Sequence, residues 1–61
     1  MTHQGSILVV DDDPQIREII RFALVREGFR VGEAGDGREA IEAFGRLRPD
    51  LVILDILMPE M

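Results

Sequence analysis

Residues 49–59 read PDLVILDILMP. Leu51, Val52, Ile53 and Leu54 follow one another with no polar alternation, so a strand here has apolar side chains on both faces. Such runs belong to the interior of parallel sheets, where helices cover each side. Pro49-Asp50 is a turn that leads into the strand, and Asp55 tips its far end with a charge. The reading is an interior strand that delivers a carboxylate to the rim of the sheet.

Working outward, Ile7-Leu8-Val9-Val10 is a second run of the same kind, ended by Asp11-Asp12-Asp13-Pro14. Asp13 is suited to cap a helix whose first residue is Pro14, a position where the missing N–H is not needed. Ile16, Ile19, Ile20, Ala23 and Leu24 then recur at helical spacing, which predicts an amphipathic helix with that stripe toward the core. Gly28 is the expected left-handed stop. Phe29 to Ala34 alternates as a half-exposed strand does. Gly35-Asp36-Gly37 turns into a second helix with Ala40, Ile41, Ala43, Phe44 and Leu47 on one side and Arg38, Glu39, Glu42 and Arg46 on the other.

The predicted class is α/β, with element order βαβαβ. Right-handed crossovers make the three strands parallel. The two wholly apolar strands are expected to be neighbours and the alternating strand an edge, which gives the order 2-1-3. Residues 1–61 form one unit, without repeats or linkers.

Composition narrows the partners. The chain has 61 residues, no cysteine and a formal charge of −5. A chain of this size buries only about 60% of its unfolded surface, and no disulfide or thiolate metal site is available to reinforce it. The acidic balance argues against direct nucleic-acid binding, which needs positive surface. The apolar runs are far shorter than a membrane span, and residues 1–6 lack a secretory pattern, so the expected location is cytoplasmic. His3, in a polar N-terminal tail, reads as solvated.

Adjacent parallel strands end at the same rim, about 4.8 Å apart. Asp11, Asp12 and Asp55 are therefore expected to converge where the chain turns to opposite faces, the usual ligand crevice of open α/β sheets. A lone aspartate after a strand is most often a cap or a turn residue, the role assigned to Asp13, Asp36 and Asp50. The joint position of Asp11, Asp12 and Asp55 sets them apart. Carboxylates crowded at a rim favour a cation, and an oxygen-only set without His or Cys selects Mg²⁺, with Mn²⁺ as an alternative.

ILVVDDDP at 7–14, EAGDGREAIE at 33–42 and PDLVILDILMP at 49–59 closely resemble the receiver domain of two-component response regulators, in register from Ile7 to Met61. The resemblance implies a flavodoxin-like, doubly wound sheet of full order 2-1-3-4-5. It implies that Asp55 is the phosphoacceptor, attacking a donor phosphohistidine to form an acyl phosphate. Asp12 would be a direct Mg²⁺ ligand, Asp11 its neighbour acting largely through metal-bound water, and the backbone carbonyl of Leu57 a further ligand. The implied partner is a histidine kinase or phosphotransfer protein.

The family's domain continues for roughly as much chain again, with a Ser or Thr after the fourth strand and a Lys after the fifth. This chain has no lysine, and its only hydroxyl residues of those types are Thr2 and Ser6. It is therefore expected to be the first half of a receiver, keeping the acidic pocket without its switch. The third strand then lacks a neighbour, and a homodimer with two third strands antiparallel, 2-1-3-3′-1′-2′, is expected to cover it. Phe22 and Val25 lie off the first helix's stripe and read as a widened core face more than as a kinase-docking patch. Two other functions compete: a self-associating structural half-fold without chemistry, and a haloacid dehalogenase-like phosphohydrolase suggested by Asp11-x-Asp13. The latter is disfavoured by Gln15 and by the absence of lysine.

Overall fold

The computed structural model describes residues 5–54. Its elements are β1 (Ser6–Val10), α1 (Pro14–Arg26), β2 (Arg30–Ala34), α2 (Gly37–Leu47) and β3 (Leu51–Leu54). The strands form one parallel sheet in the order β2-β1-β3, as the apolar runs predict. β1 is central and its Leu8 and Val9 are 1% and 0% exposed.

Side-chain alternation divides the two faces. Leu8, Val10 and Ala34 form a buried cluster with Ala43 of α2, and Ala40 packs against it. Glu33, one residue before Ala34, points the other way and meets Arg17 and Arg21 of α1. The two helices thus lie on opposite faces, the arrangement that successive right-handed crossovers in opposite directions produce. Both cover β1 and β2, and neither covers β3. Leu51 and Leu54 are consequently 55% and 56% exposed, although their sequence is that of an interior strand.

Each helix end is closed by local chemistry. Asp13 accepts a hydrogen bond from the Gln15 N–H, with Pro14 at the first helical position. Asp36 does the same for the Glu39 N–H, while the Glu39 carboxylate reaches back to the Gly35 N–H at 2.8 Å, a variant of the capping box. At the end of α1 the Phe29 N–H bonds the Leu24 carbonyl and the Gly28 N–H bonds that of Val25. Those two bonds, with Gly28 at φ 98°, make a Schellman motif. Gly28→Ala should cost about 1 kcal/mol, since a Cβ is disfavoured there, and lower the thermal midpoint by about 4–8 °C in a circular dichroism melt. α2 ends instead on Arg48, at φ 50°, immediately before Pro49.

At the opposite rim from the acidic residues, Asp50 ties β3 to β1. Its N–H donates to the Ser6 carbonyl at 2.8 Å and its carboxylate accepts the Ser6 N–H at 2.9 Å. The turn residue expected at this position therefore also sets where β3 begins to pair.

One expectation is corrected. The predicted core stripe of α1, Ile16, Ile19, Ile20, Ala23 and Leu24, does not face the sheet as a whole. Ile16 and Ala23 are exposed and Ile19 is 65% exposed; the half-buried positions are Arg17, Ile20, Arg21 and Leu24. That stripe also has spacing i, i+3, i+4, i+7, but two of its members are arginines. From that face Arg17 and Arg21 pair with Glu33 on β2, while Ile16 and Ile19 lie on the flank of the helix. In α2 the apolar side expected from the sequence is likewise only partly covered: Ala43 is buried, whereas Ile41, Phe44 and Leu47 are exposed.

Candidate functional site

The C-terminal end of β1 carries Asp11, Asp12 and Asp13, and each does something different. Asp11 is 5% exposed and is the buried charged residue of the described chain. Its N–H continues the sheet by donating to the Ala34 carbonyl at 3.1 Å. Its Oδ1 accepts the Asp13 N–H at 2.8 Å, forming an Asx turn that reverses the chain from strand to helix. Its carbonyl accepts Nη1 of Arg17 at 2.7 Å. Asp12 projects from the same turn and is exposed, whereas Asp13 is used as the cap of α1.

β3 approaches this rim from the other side. Val10 is the parallel partner of Leu54, and each is the last residue of its strand. Asp55 and Leu57, the expected phosphoacceptor and backbone ligand, lie outside the described residues. Among the described residues no three acidic or histidine side chains gather into a metal cage. The donors at the end of β1 are nonetheless of the kind a hard cation takes. Both are carboxylates, no nitrogen or sulfur ligand competes, and only one oxygen of Asp11 is occupied by a protein donor among the described residues. Those donors fit Mg²⁺ or Mn²⁺.

The site contains residues that the sequence reading did not assign. Arg17 donates Nε to Glu33 Oε1 at 3.2 Å, and Arg21 Nε forms an ion pair with Glu33 Oε2 at 3.0 Å. One carboxylate thus carries two guanidiniums, and Arg17 extends from it to the Asp11 carbonyl. The available signal was a pair of arginines four residues apart, placed inside the helical stripe after an acidic turn. Hydrophobic periodicity passes over such a pair because it scores only apolar positions.

Comparison with known proteins adds a separate line of observation. Residues 7–61 match the family model described as the response regulator receiver domain. The probable transcriptional regulatory protein TcrX of Mycobacterium tuberculosis is 48% identical over 56 residues, which are 92% of this chain and 24% of that protein. The DNA-binding response regulator MtrA of Mycolicibacterium smegmatis is 48% identical over 60 residues, 98% of this chain and 26% of that protein. The crystal structure of the N-terminal domain of a response regulator receiver protein from Methanoculleus marisnigri JR1 superposes with a TM-score of 0.83 at 46% identity. It covers 93% of this chain and 46% of that one. The chain therefore spans about a quarter of the length of the curated relatives it matches.

Proposed function

The chain belongs to the response regulator receiver family, and from that premise we propose that it is the first half of a phosphoacceptor module in a cytoplasmic two-component relay. In this reading Asp55 is the nucleophile. One of its carboxylate oxygens bonds to phosphorus as the P–N bond of a phosphohistidine donor breaks and the imidazole leaves. Asp11, Asp12 and Asp55, with the Leu57 carbonyl, would hold Mg²⁺. When bound, that cation offsets the charge of the phosphoryl oxygens, so that an anionic donor approaches an anionic nucleophile.

The observation that carries the reading is the parallel register of Val10 with Leu54. Asp11 and Asp55 directly follow Val10 and Leu54 in the sequence, and successive α-carbons across a trans peptide lie about 3.8 Å apart. The burial of Asp11 supports it further, since a carboxylate kept from water is stabilised by a cation. The −5 charge leaves DNA contact, which the name of MtrA records for that protein, to the parts of such regulators that this chain does not span. A histidine kinase or phosphotransfer protein is the corresponding donor.

The direct test is incubation with Mg²⁺ and acetyl phosphate, followed by intact-mass measurement. The expected result is the gain of one phosphoryl group, lost again at alkaline pH as an acyl phosphate should be. A mass that stays unchanged at saturating donor would leave the silent structural half-fold as the better reading.

Exposure of Leu51, Val52 and Leu54 supports a second element of the proposal, a homodimer paired through β3. An edge strand without lysine, proline or an inward charge is a template for pairing. Sedimentation at micromolar concentration should give twice the mass of 6.9 kDa; a folded monomer there would refute the dimer.

A further inference from the structure

We infer that Arg17 is a positioning residue for the cation site, setting the direction in which Asp12 leaves β1. The inference rests on the reading of Asp11 and Asp12 as metal ligands. Its basis is the way the Asp11–Asp12 peptide is held. A peptide unit is planar, so fixing the Asp11 carbonyl fixes the plane from which Asp12 departs. The Arg17 Nη1 contact at 2.7 Å does this from the helix side, while the Asp11 N–H is tied to Ala34 and its Oδ1 to the Asp13 N–H. Asp11 is thus restrained at all three of its polar groups.

Glu33 supplies the other half of the device. By accepting Arg17 Nε at 3.2 Å it orients the planar guanidinium so that Nη1 reaches Asp11. A guanidinium can bridge two acceptors in this fixed geometry, whereas an ammonium is a single point of charge. Gly35 completes the arrangement. A Cβ built at Gly35 would lie 3.1 Å from Arg17 Nη1, so a side chain there would press on the bridging nitrogen. The absence of a side chain at Gly35 keeps the path from Arg17 to Asp11 open.

The alternative is that Arg17 is only a strut between α1 and β2, or only a nearby positive charge. These predict different signs. As a charge alone, Arg17 repels a cation, and its removal strengthens metal binding. As a strut, its removal lowers stability without changing the affinity of the folded molecules. As a positioning residue, its removal weakens metal binding despite the loss of repulsion.

The test is calorimetric titration of the whole chain with Mg²⁺, repeated with Mn²⁺, with the folded fraction of each variant fixed by circular dichroism. Arg17→Gln should weaken binding about tenfold, the lower end of what loss of an outer-shell partner costs. Arg17→Lys should weaken it similarly although the charge is kept. Gly35→Ala, which leaves the Arg17–Glu33 pair chemically intact, should weaken it by less than Arg17→Gln does and shift the Asp13 amide resonance. Unchanged or tighter binding by folded Arg17→Gln overturns the inference. If that variant does not fold, unchanged affinity in Arg17→Lys and Gly35→Ala overturns it equally. Failure of the unsubstituted chain to bind either ion overturns the metal reading itself, and this inference with it.

Discussion

Asp55→Asn should abolish phosphoryl uptake from acetyl phosphate, with no residual mass gain at any donor concentration. The amide keeps the shape of the side chain but offers no anionic oxygen to form the acyl phosphate, so the loss is of the reaction itself and not of its rate alone. Asp11→Asn and Asp12→Asn should behave differently. Each leaves the nucleophile in place and removes part of the negative charge that favours the cation, so uptake should slow and respond to higher Mg²⁺. The same three variants separate this chemistry from that of a phosphohydrolase with its nucleophile on β1. There Asp11→Asn would be the silent variant and Asp55→Asn would be harmless. Intact-mass spectrometry of the four proteins under one set of conditions reads the whole pattern.

Leu8→Ala should unfold most of the protein at room temperature. Leu8 is 1% exposed at the centre of the sheet. Its neighbours in the buried cluster include Ala34 and Ala43, with Ala40 packed against them. Gly32, its partner in register on β2, has no side chain. Ala34, Ala40 and Ala43 cannot swing into the vacated volume, and the cost falls within the usual range for Leu→Ala, about 2–5 kcal/mol. A single core in a chain this short supplies about 3–5 kcal/mol in total. The two ranges overlap, and circular dichroism should show little helical signal even without denaturant. Ile41→Ala, on the open side of α2 where the side chain is 76% exposed, should shift stability by no more than about 0.5 kcal/mol. A folded Leu8→Ala with an ordinary melt would mean that the apolar surface is covered by an assembly whose stability does not reside in this core.

Much of this architecture is a consequence of short-range chemistry and could be read directly. β1 is apolar at every position from Ile7 to Val10 and both of its faces are covered; β3 shares the apolar run, and the alternating pattern of β2 supplied the rest of the order. The caps were equally legible, because Asp13 before Pro14, Asp36 before α2 and Gly28 after α1 act on backbone groups within a few residues of themselves. Of the acidic rim, the sequence indicated the ends of the strands that meet, Val10 beside Leu54.

The set of elements, their parallel order and the rim to which Asp11 and Asp12 belong were all legible in the residues. These follow from periodicity, from chirality and from backbone groups that must be satisfied locally. The tertiary structure alone decided the rotation of α1, the burial of Asp11 and the link from Glu33 through Arg17 to the Asp11 carbonyl. Arg17 and Glu33 are 16 residues apart and lie on different elements. Neither this pairing nor the exposure of Ile16 and Ile19 follows from local periodicity, because both depend on how the packed helix meets the sheet.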